Sequence, residues 1–429
     1  MPLLTLRTYS ALWWLLLPAV LFRLWWRGRK EAGYRQHIAE RFGLHRLSHP
    51  GFPSPLLWVH AVSVGETRAA EPLIRTLLAR YPSHHLLLTH MTPTGRATGA
   101  ALFGNEPRVL QSYLPYDTLA LTRRYLQSAK PALCVLMETE VWPALIDSCH
   151  QVGVPVALIN ARLSEKSLRR ARKVEGLIRD AVKKIDLIAA QTEADAERLR
   201  SLGAAEVAVT GSLKFDITPP EPMLALGAQW RQQFGQRPVL LCASTREGEE
   251  TLLLDAYMRA TLPHGCLLVI VPRHPQRFGE VAQMLEARGL DYLRRSQLGK
   301  DAVSMNTHIL LGDSLGEMFA YCAACDMAFI GGSLLPLGGQ NPIEALSCGK
   351  PVLIGPHTFN FAQITEDAIQ SGVALRIENA DELFRQVLQR LIEPSELKSL
   401  SLKAAQFTQA HRGATEKTVR LIGDIVKPQ

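Results

Sequence analysis

Carboxylates stand directly behind apolar runs in this chain, at places where strand packing has no use for them. Ser63-Val64-Gly65-Glu66 closes the run Leu56-Leu57-Trp58-Val59, and Glu138-Thr139-Glu140-Val141-Trp142-Pro143 follows Cys134-Val135-Leu136. A third run, Val156-Ala157-Leu158-Ile159, leads into Asn160-Ala161-Arg162-Leu163-Ser164. A carboxylate fixed at such a strand end can serve as a general base toward a hydroxyl. Glu138 and Glu140 are expected on the same side of an extended segment. Charges that close repel, so one acid must carry a raised pKa or find a cation. Arg162 and Lys214, the latter in Gly211-Ser212-Leu213-Lys214-Phe215-Asp216, are the candidate partners. Plainer readings stand beside these. Ser63 and Glu66 fit an S-x-x-E capping box whose acid opposes the macrodipole of a helix start, and Glu138 and Glu140 fit a structural ion pair. Capping and base catalysis are compatible, because a helix start at the rim of a site also fixes the side chain.

The second half offers anion-binding chemistry without a Walker loop. Gly331-Gly332-Ser333 follows an apolar run, and Gly338-Gly339-Gln340-Asn341-Pro342-Ile343-Glu344 runs into a predicted helix. Glycines let backbone amides approach phosphate, and a helix N-terminus favours the anion. Asn341 as N-cap and Pro342 at the first helical position also make an ordinary helix start. Glu344 would repel phosphate, so a ligand contact there means accepting from ribose hydroxyls. Arg273, in Pro272-Arg273-His274-Pro275, puts a guanidinium at another strand end and weighs above His274. Leu315, Gly316 and Glu317 sit in Gly312-Asp313-Ser314-Leu315-Gly316-Glu317-Met318, and Ser244 opens Ser244-Thr245-Arg246-Glu247-Gly248-Glu249-Glu250. No HExxH, no DxD-type pair and no GxSxG accompanied by a triad stands out, which argues against metal and serine hydrolysis.

Loops of this kind need a frame that brings strand ends together. Short apolar runs alternate with amphipathic helical stretches, the rhythm of βα units around parallel sheets. Strands are predicted near 56–62, 84–90, 132–138, 154–160 and 187–191, then near 238–244, 266–272, 308–313, 327–332 and 351–355. Ile217-Thr218-Pro219-Pro220-Glu221-Pro222 reads as an interdomain linker. The expected organisation is α/β: a membrane anchor at 1–30, a Rossmann-like domain at 31–216, a linker at 217–237 and a second Rossmann-like domain at 238–429. The two domains are expected to face a central cleft lined by the carboxyl ends of their strands, and the last helix to pack back on the first domain.

The totals agree with a two-domain globular protein that meets an anionic partner. The chain has 429 residues, 47% hydrophobic and 21% charged, with a formal net charge of +8. Its seven cysteines lie in apolar stretches, which reads as reduced and cytoplasmic; the lone CxxC, Cys322 and Cys325, reads as helix packing. Residues 8–22 carry no charge, are extended by Leu24-Trp25-Trp26, and are followed by Arg27, Arg29 and Lys30 rather than a small-residue cleavage site. Tryptophans at both ends and the basic cluster predict a membrane anchor with the protein body in the cytoplasm. As a helix those 15 uncharged residues reach only about 22 Å, short of a bilayer core of roughly 30 Å, so spanning and re-entrant insertion both stay open, with a buried helix as the plain alternative. Lys166-Ser167-Leu168-Arg169-Arg170-Ala171-Arg172-Lys173 is a solvated helix face or a dock for anionic lipid. Nucleic acid is not expected, since no aromatic-rich basic platform accompanies it.

Taken together, HAVSVGE, METEVWP, NARLS, GSLKFD, ASTREGEE, VPRHP, GDSLGEM and GGSLLPLGGQNPIEA resemble the Kdo transferases, which attach 3-deoxy-D-manno-octulosonic acid to the lipid A precursor of Gram-negative bacteria. The motifs run in family order over nearly the whole chain. Two positions depart from the family pattern, which has His where this chain has Gln340 and Arg246. The resemblance implies a GT-B type inverting glycosyltransferase at the cytoplasmic face of the inner membrane. It implies CMP-Kdo as donor, lipid IVA as acceptor, anionic membrane lipids as partners and no cofactor or catalytic metal. It makes Glu66 the general base, Glu138 and Lys214 transition-state stabilisers, and Glu140 a further candidate. Pro272, Arg273, Leu315, Gly316, Glu317, Asn341, Pro342, Ile343 and Glu344 would line the CMP site. Ser63, Gly65, Arg162, Ser244, Gly332, Ser333 and Asn360 would add substrate contacts. A nucleotide-sugar epimerase or hydrolase of the same architecture, and a non-enzymatic nucleotide-binding membrane scaffold, are the competing readings.

Overall fold

The computed structural model describes residues 4–29, 31–44, 55–260, 265–391 and 393–426. Seven strands form a first sheet: β1 (Leu56–His60), β2 (His85–His90), β3 (Val109–Tyr113), β4 (Pro131–Met137), β5 (Val156–Ala161), β6 (Leu187–Ala190) and β7 (Ala208–Val209). They lie side by side in the order β3-β2-β1-β4-β5-β6-β7, every pairing parallel. A second sheet contains β8 (Val239–Thr245), β9 (Leu267–Pro272), β10 (Tyr292–Arg294), β11 (Ile309–Leu311), β12 (Met327–Ile330), β13 (Val352–Ile354) and β14 (Ala374–Arg376). Its order is β10-β11-β9-β8-β12-β13-β14, again all parallel.

Parallel strands covered by helices on both faces need apolar residues at every position. In β1, Leu57 and Val59 enter the core on one face while Trp58 enters the core on the other. All ten predicted strands are present, and four more appear: β3, β7, β10 and β14. Those four are the edges of the two sheets, and their residues are mostly half-buried.

Strand order reverses direction between β1 and β4 in the first sheet and between β8 and β12 in the second. At such a switch point the loops leaving adjacent strands diverge to opposite faces and open a crevice at the carboxyl edge.

The chain divides into one unit of Met1–Ile217 with Arg412–Gln429 and another of Thr218–His411. The segment read as a linker at 217–237 is instead mostly the helix Glu221–Phe234, which belongs to the second unit. Its Trp230 is buried, with its ring centroid 4.9 Å from that of Tyr321. The chain's end packs back on the first unit as expected: the helix Ala414–Ile425 contributes Ala414, Val419 and Ile422 to its core. Asp216 holds that helix start, accepting from the backbone N–H of Gly413 at 2.7 Å and of Thr415 at 2.5 Å.

The N-terminal helix runs Leu6–Arg27, with Thr5 and Thr8 forming a reciprocal capping box. Its 22 residues span about 33 Å, longer than the uncharged core alone; Lys30 lies outside the described residues. The basic stretch forms the helix Glu165–Arg172, which buries Leu168 and exposes Lys166, Arg169, Arg170 and Arg172. Cys322 and Cys325 are buried, and the Cys325 thiol donates to the Cys322 carbonyl at 3.3 Å.

Candidate active site

In the first unit the acids gather where the strand order switches. After β1 the chain turns into the helix Val64–Ala69, and Glu66 reaches back so that its Oε2 accepts from the Val62 N–H at 2.5 Å. The reciprocal box with Ser63 does not form: Ser63 holds the N-cap position but its hydroxyl makes no capping bond. Gly65 next to it is exposed. Burial, then the charges of Glu140 and Glu138, push the Glu66 carboxyl up to about 8, and the amides of Val62 and Ser63 oppose this only in part.

Glu138 and Glu140 leave β4 in a turn rather than an extended segment. Glu138 adopts a left-handed φ of 54°, the Glu140 N–H donates to the Met137 carbonyl at 3.2 Å, and the Val141 N–H donates to the Thr139 carbonyl at 3.0 Å. Lys214 forms an ion pair with Glu138, its Nζ lying 2.8 Å from Oε1, and both side chains are almost enclosed, 13% and 11% exposed. The Arg162 backbone N–H donates to the Glu138 carbonyl at 3.4 Å, so Arg162 braces this turn through its main chain.

Glu140 accepts from the Trp142 indole N–H at 2.8 Å. Burial and then the Glu138 charge lift it to about 7, against the indole's pull. Asn160, also at a left-handed φ of 51°, ties the group together. Its amide donates to Glu138 Oε1 at 3.5 Å, and its Oδ1 accepts from the Leu213 N–H at 3.1 Å, fixing the short turn Leu213–Asp216 that carries Lys214. Trp142 and the joining role of Asn160 were not read as site features from the sequence. Both residues were visible in its motifs, but only a tertiary hydrogen bond assigns them a partner.

The second unit repeats the arrangement at its own switch point. Ser244 at the end of β8 takes a left-handed φ of 56°, and Gly331 follows β12. A Cβ on Gly331 would lie 2.5 Å from the Ser244 carbonyl oxygen and 2.6 Å from the Thr245 Cα, so only glycine lets these two strand ends approach. Glu249 organises the loops between them. Fully buried, it accepts from the N–H of Gly332 at 2.5 Å, of Arg246 at 2.9 Å and of Leu334 at 2.9 Å. Burial raises its pKa, while those three amides favour the charged form. Sequence reading did not single out Glu249; its place in the first turn of the helix Glu249–Arg259 was the available signal.

Gln340, which stands where the resembling family has His, accepts from Arg273 Nε at 3.2 Å and is held by its own N–H donating to the Gly331 carbonyl at 2.9 Å. Arg273 follows Pro272 at the end of β9 and its backbone N–H donates to the Thr245 carbonyl at 2.9 Å. Asn360 closes over the glycine pair: its amide donates to the Leu337 carbonyl at 3.3 Å and the Gly339 carbonyl at 3.4 Å. The Ser333 hydroxyl is buried, donating to Ile330 and accepting from the Gly355 N–H at 2.8 Å, so it holds the loop rather than facing a ligand.

The expected helix start is shifted by one residue. The helix is Ile343–Ser347 with Pro342 at the N-cap position, and Asn341 caps it from outside, its Oδ1 accepting from the Ile343 N–H at 3.1 Å. Glu344 lies in its first turn. Leu315 and Gly316 form an exposed turn after β11, and Glu317 pairs with Arg295 at 2.8 Å.

The comparisons with known proteins fall on this same frame. Residues 36–217 match the family described as 3-Deoxy-D-manno-octulosonic-acid transferase (kdotransferase). The chain is 44% identical to the 3-deoxy-D-manno-octulosonic acid transferase of Bordetella pertussis, over 95% of this chain and 96% of that protein. It is 34% identical to the enzyme of the same name from Haemophilus influenzae, over 98% and 97%. The chain belongs to the Kdo transferase family. Among solved structures, UDP-GlcNAc 2-epimerase from Neisseria meningitidis bound to UDP-GlcNAc superposes with a TM-score of 0.59 at 16% identity, over 86% of this chain and all of that one. Anabaena HepE in complex with UDP gives 0.58 at 13% identity over 86% of this chain and all of that one. These two share the GT-B-like two-domain fold, and at such identity they speak to fold alone. As a Kdo transferase family member, the chain is a glycosyltransferase.

Two measurements test this geometry. Glu249→Ala leaves three buried amides without a partner and should lower the unfolding free energy by about 3 kcal/mol in a urea titration, with a smaller loss for Glu249→Gln. Carboxyl titration by NMR should place Glu66 near 8, and Glu140→Gln should move it lower by removing a neighbouring charge. Because that folded value lies above the unfolded one, ionisation opposes folding: the stability tied to the protonated acid is present below about 4.5 and is lost as pH climbs through about 8.

Proposed function

We propose that this chain transfers Kdo from CMP-Kdo to a hydroxyl of the lipid IVA precursor with inversion, at the cytoplasmic face of the inner membrane. The observation that carries the reading is Glu66: a mostly buried carboxyl at a switch point, held by a backbone amide beside two further acids, in the motif that resembles the family's base. In its ionised form Glu66 takes the proton of the acceptor hydroxyl as that oxygen bonds to the anomeric carbon of Kdo. The bond from that carbon to the CMP phosphate breaks, and its electron pair leaves with the nucleotide.

A raised pKa makes Glu66 a stronger base than an exposed carboxylate once ionised. The Lys214–Glu138 pair places a cation and an anion close to it without adding net charge, suited to the charge that develops on the sugar. Arg273 and the amides of the glycine loops, with Leu315–Glu317 and Asn341–Glu344, would hold the cytidylate and stabilise the departing phosphate. Nothing in this scheme calls for a metal ion. The net charge of +8 suits a phosphorylated acceptor in an anionic membrane.

Purified protein incubated with CMP-Kdo and a tetraacylated lipid A precursor should yield, by mass spectrometry, acceptor heavier by whole Kdo residues; unchanged acceptor beside intact donor would sink the reading. Glu66→Gln should abolish transfer, by at least about 10²-fold, while CMP affinity stays near that of the unsubstituted protein. Near-normal turnover in that variant removes Glu66 from the base role. Arg273→Ala should weaken donor affinity by about tenfold or more, the loss of a charge-assisted contact, and an unchanged titration would take that loop out of the donor site.

A further inference from the structure

The N-terminal helix is long enough to cross a bilayer, yet it is docked along its length. Its buried and half-buried positions fall in one stripe, which includes Tyr9, Ser10, Trp13, Leu17, Val20 and Leu24. That spacing of three and four residues is a single helix face. The face is bound to the first unit near both ends of the stripe. The Tyr9 hydroxyl donates to Asp117 at 2.9 Å, and the Ser10 hydroxyl accepts from the Leu119 N–H at 3.1 Å. Trp13 stacks on Tyr116 with centroids 5.9 Å apart, and Leu17 packs with Tyr116 and Leu121, flanked by Val20, Leu24 and Phe42.

The opposite face carries large apolar side chains in the open. Leu12, Leu15, Leu16, Phe22, Trp25 and Trp26 are 45–78% exposed. At about 100° per residue, Arg7 and Arg23 project about 80° to either side of Leu15 and so flank this apolar face. Beyond the helix, the Arg29 guanidinium lies over the rings of Trp25 at 4.3 Å and Trp26 at 5.2 Å. An apolar face bordered on both edges by cations, ending in tryptophan, is the layout of a helix lying in the plane of an anionic bilayer surface, its arginines snorkelling to headgroups.

We propose that Leu6–Arg27 does not cross the bilayer but lies in its cytoplasmic leaflet, with the Leu15 side in lipid and the Leu17 side on the first unit. This rests on the membrane location given under Proposed function. A crossing helix of this length would fill a hydrocarbon core of roughly 30 Å and would drag the loops it is docked to, with buried Asp117 and their backbone polar groups, to membrane depth, where they lack partners. The lipid surface covers the exposed face at no such cost.

Nitroxide labels on cysteines placed singly at Ala11, Leu15, Phe22 and Trp26 of the full-length protein, bound to vesicles of phosphatidylethanolamine and phosphatidylglycerol, should report one shallow depth throughout, with the unsubstituted protein as labelling blank. Cysteine at Leu4 should react with an impermeant maleimide only after spheroplasts are lysed. Leu15→Glu should lower vesicle binding by about tenfold. A depth profile that is deepest at mid-helix, together with labelling of the Leu4→Cys variant from outside, would overturn the in-plane arrangement while leaving membrane attachment intact. Labels that sense no lipid at any position would overturn membrane attachment itself.

Discussion

Repulsion among buried carboxylates is the constraint around which the first unit is arranged. Glu138 raises the proton affinity of Glu66 and Glu140, and Glu140 that of Glu66, in surroundings that already disfavour charge. Lys214 neutralises Glu138, the Trp142 indole supports Glu140, and Glu66 is left with backbone amides. An acid held in that way binds its proton more tightly than an exposed carboxylate does. The backbone is bent to achieve it: Glu138 and Asn160 both occupy the left-handed region, a conformation that costs a non-glycine residue of order 1–3 kcal/mol and persists only where surrounding structure overrides it. Here the override is the buried strands β4 and β5, whose ends carry those residues.

The second unit solves the opposite electrostatic problem with the same architecture. Where the first switch point concentrates negative charge, the second presents Arg246, Arg273 and glycine amides, and the fully buried Glu249 faces inward to three backbone N–H groups. Glu249 thereby fixes the direction of the loops after β8 and β12 without placing its charge among the groups suited to phosphate. Gln340 for histidine keeps a polar side chain in contact with Arg273. A neutral amide accepts from that guanidinium at any pH, whereas a histidine would stop accepting once doubly protonated.

In the proposed reading, with Glu66 as base toward a lipid acceptor, the base must sit at a fixed height above the membrane. A helix seated along the first unit, the unit that holds Glu66, would set that height more firmly than a single crossing helix joined by a flexible connection. The docking bonds of Tyr9 and Ser10 are what make the connection stiff.

Much of the frame was legible in the amino-acid sequence, and the division follows burial. The ten interior strands announced themselves as apolar runs because both their faces are covered; β3, β7, β10 and β14 did not, because these edge strands are mostly half-buried and carry no such run. Site residues were readable by type, since a carboxylate or glycine behind a strand has no packing reason to be there. Their partners were not. The pairing of Lys214 with Glu138 and the anchoring role of Glu249 depend on contacts between segments up to 85 residues apart. At the chain's two ends the sequence offered the first helix as an apolar element and the last as one that packs back on the first domain; the contacts that seat them, among them Asp216 at the start of Ala414–Ile425, came only from the fold. Local chemistry is written residue by residue and so determines element and residue type; pairing between distant charges, and which face of a helix finds protein, are decided only when the chain has closed on itself.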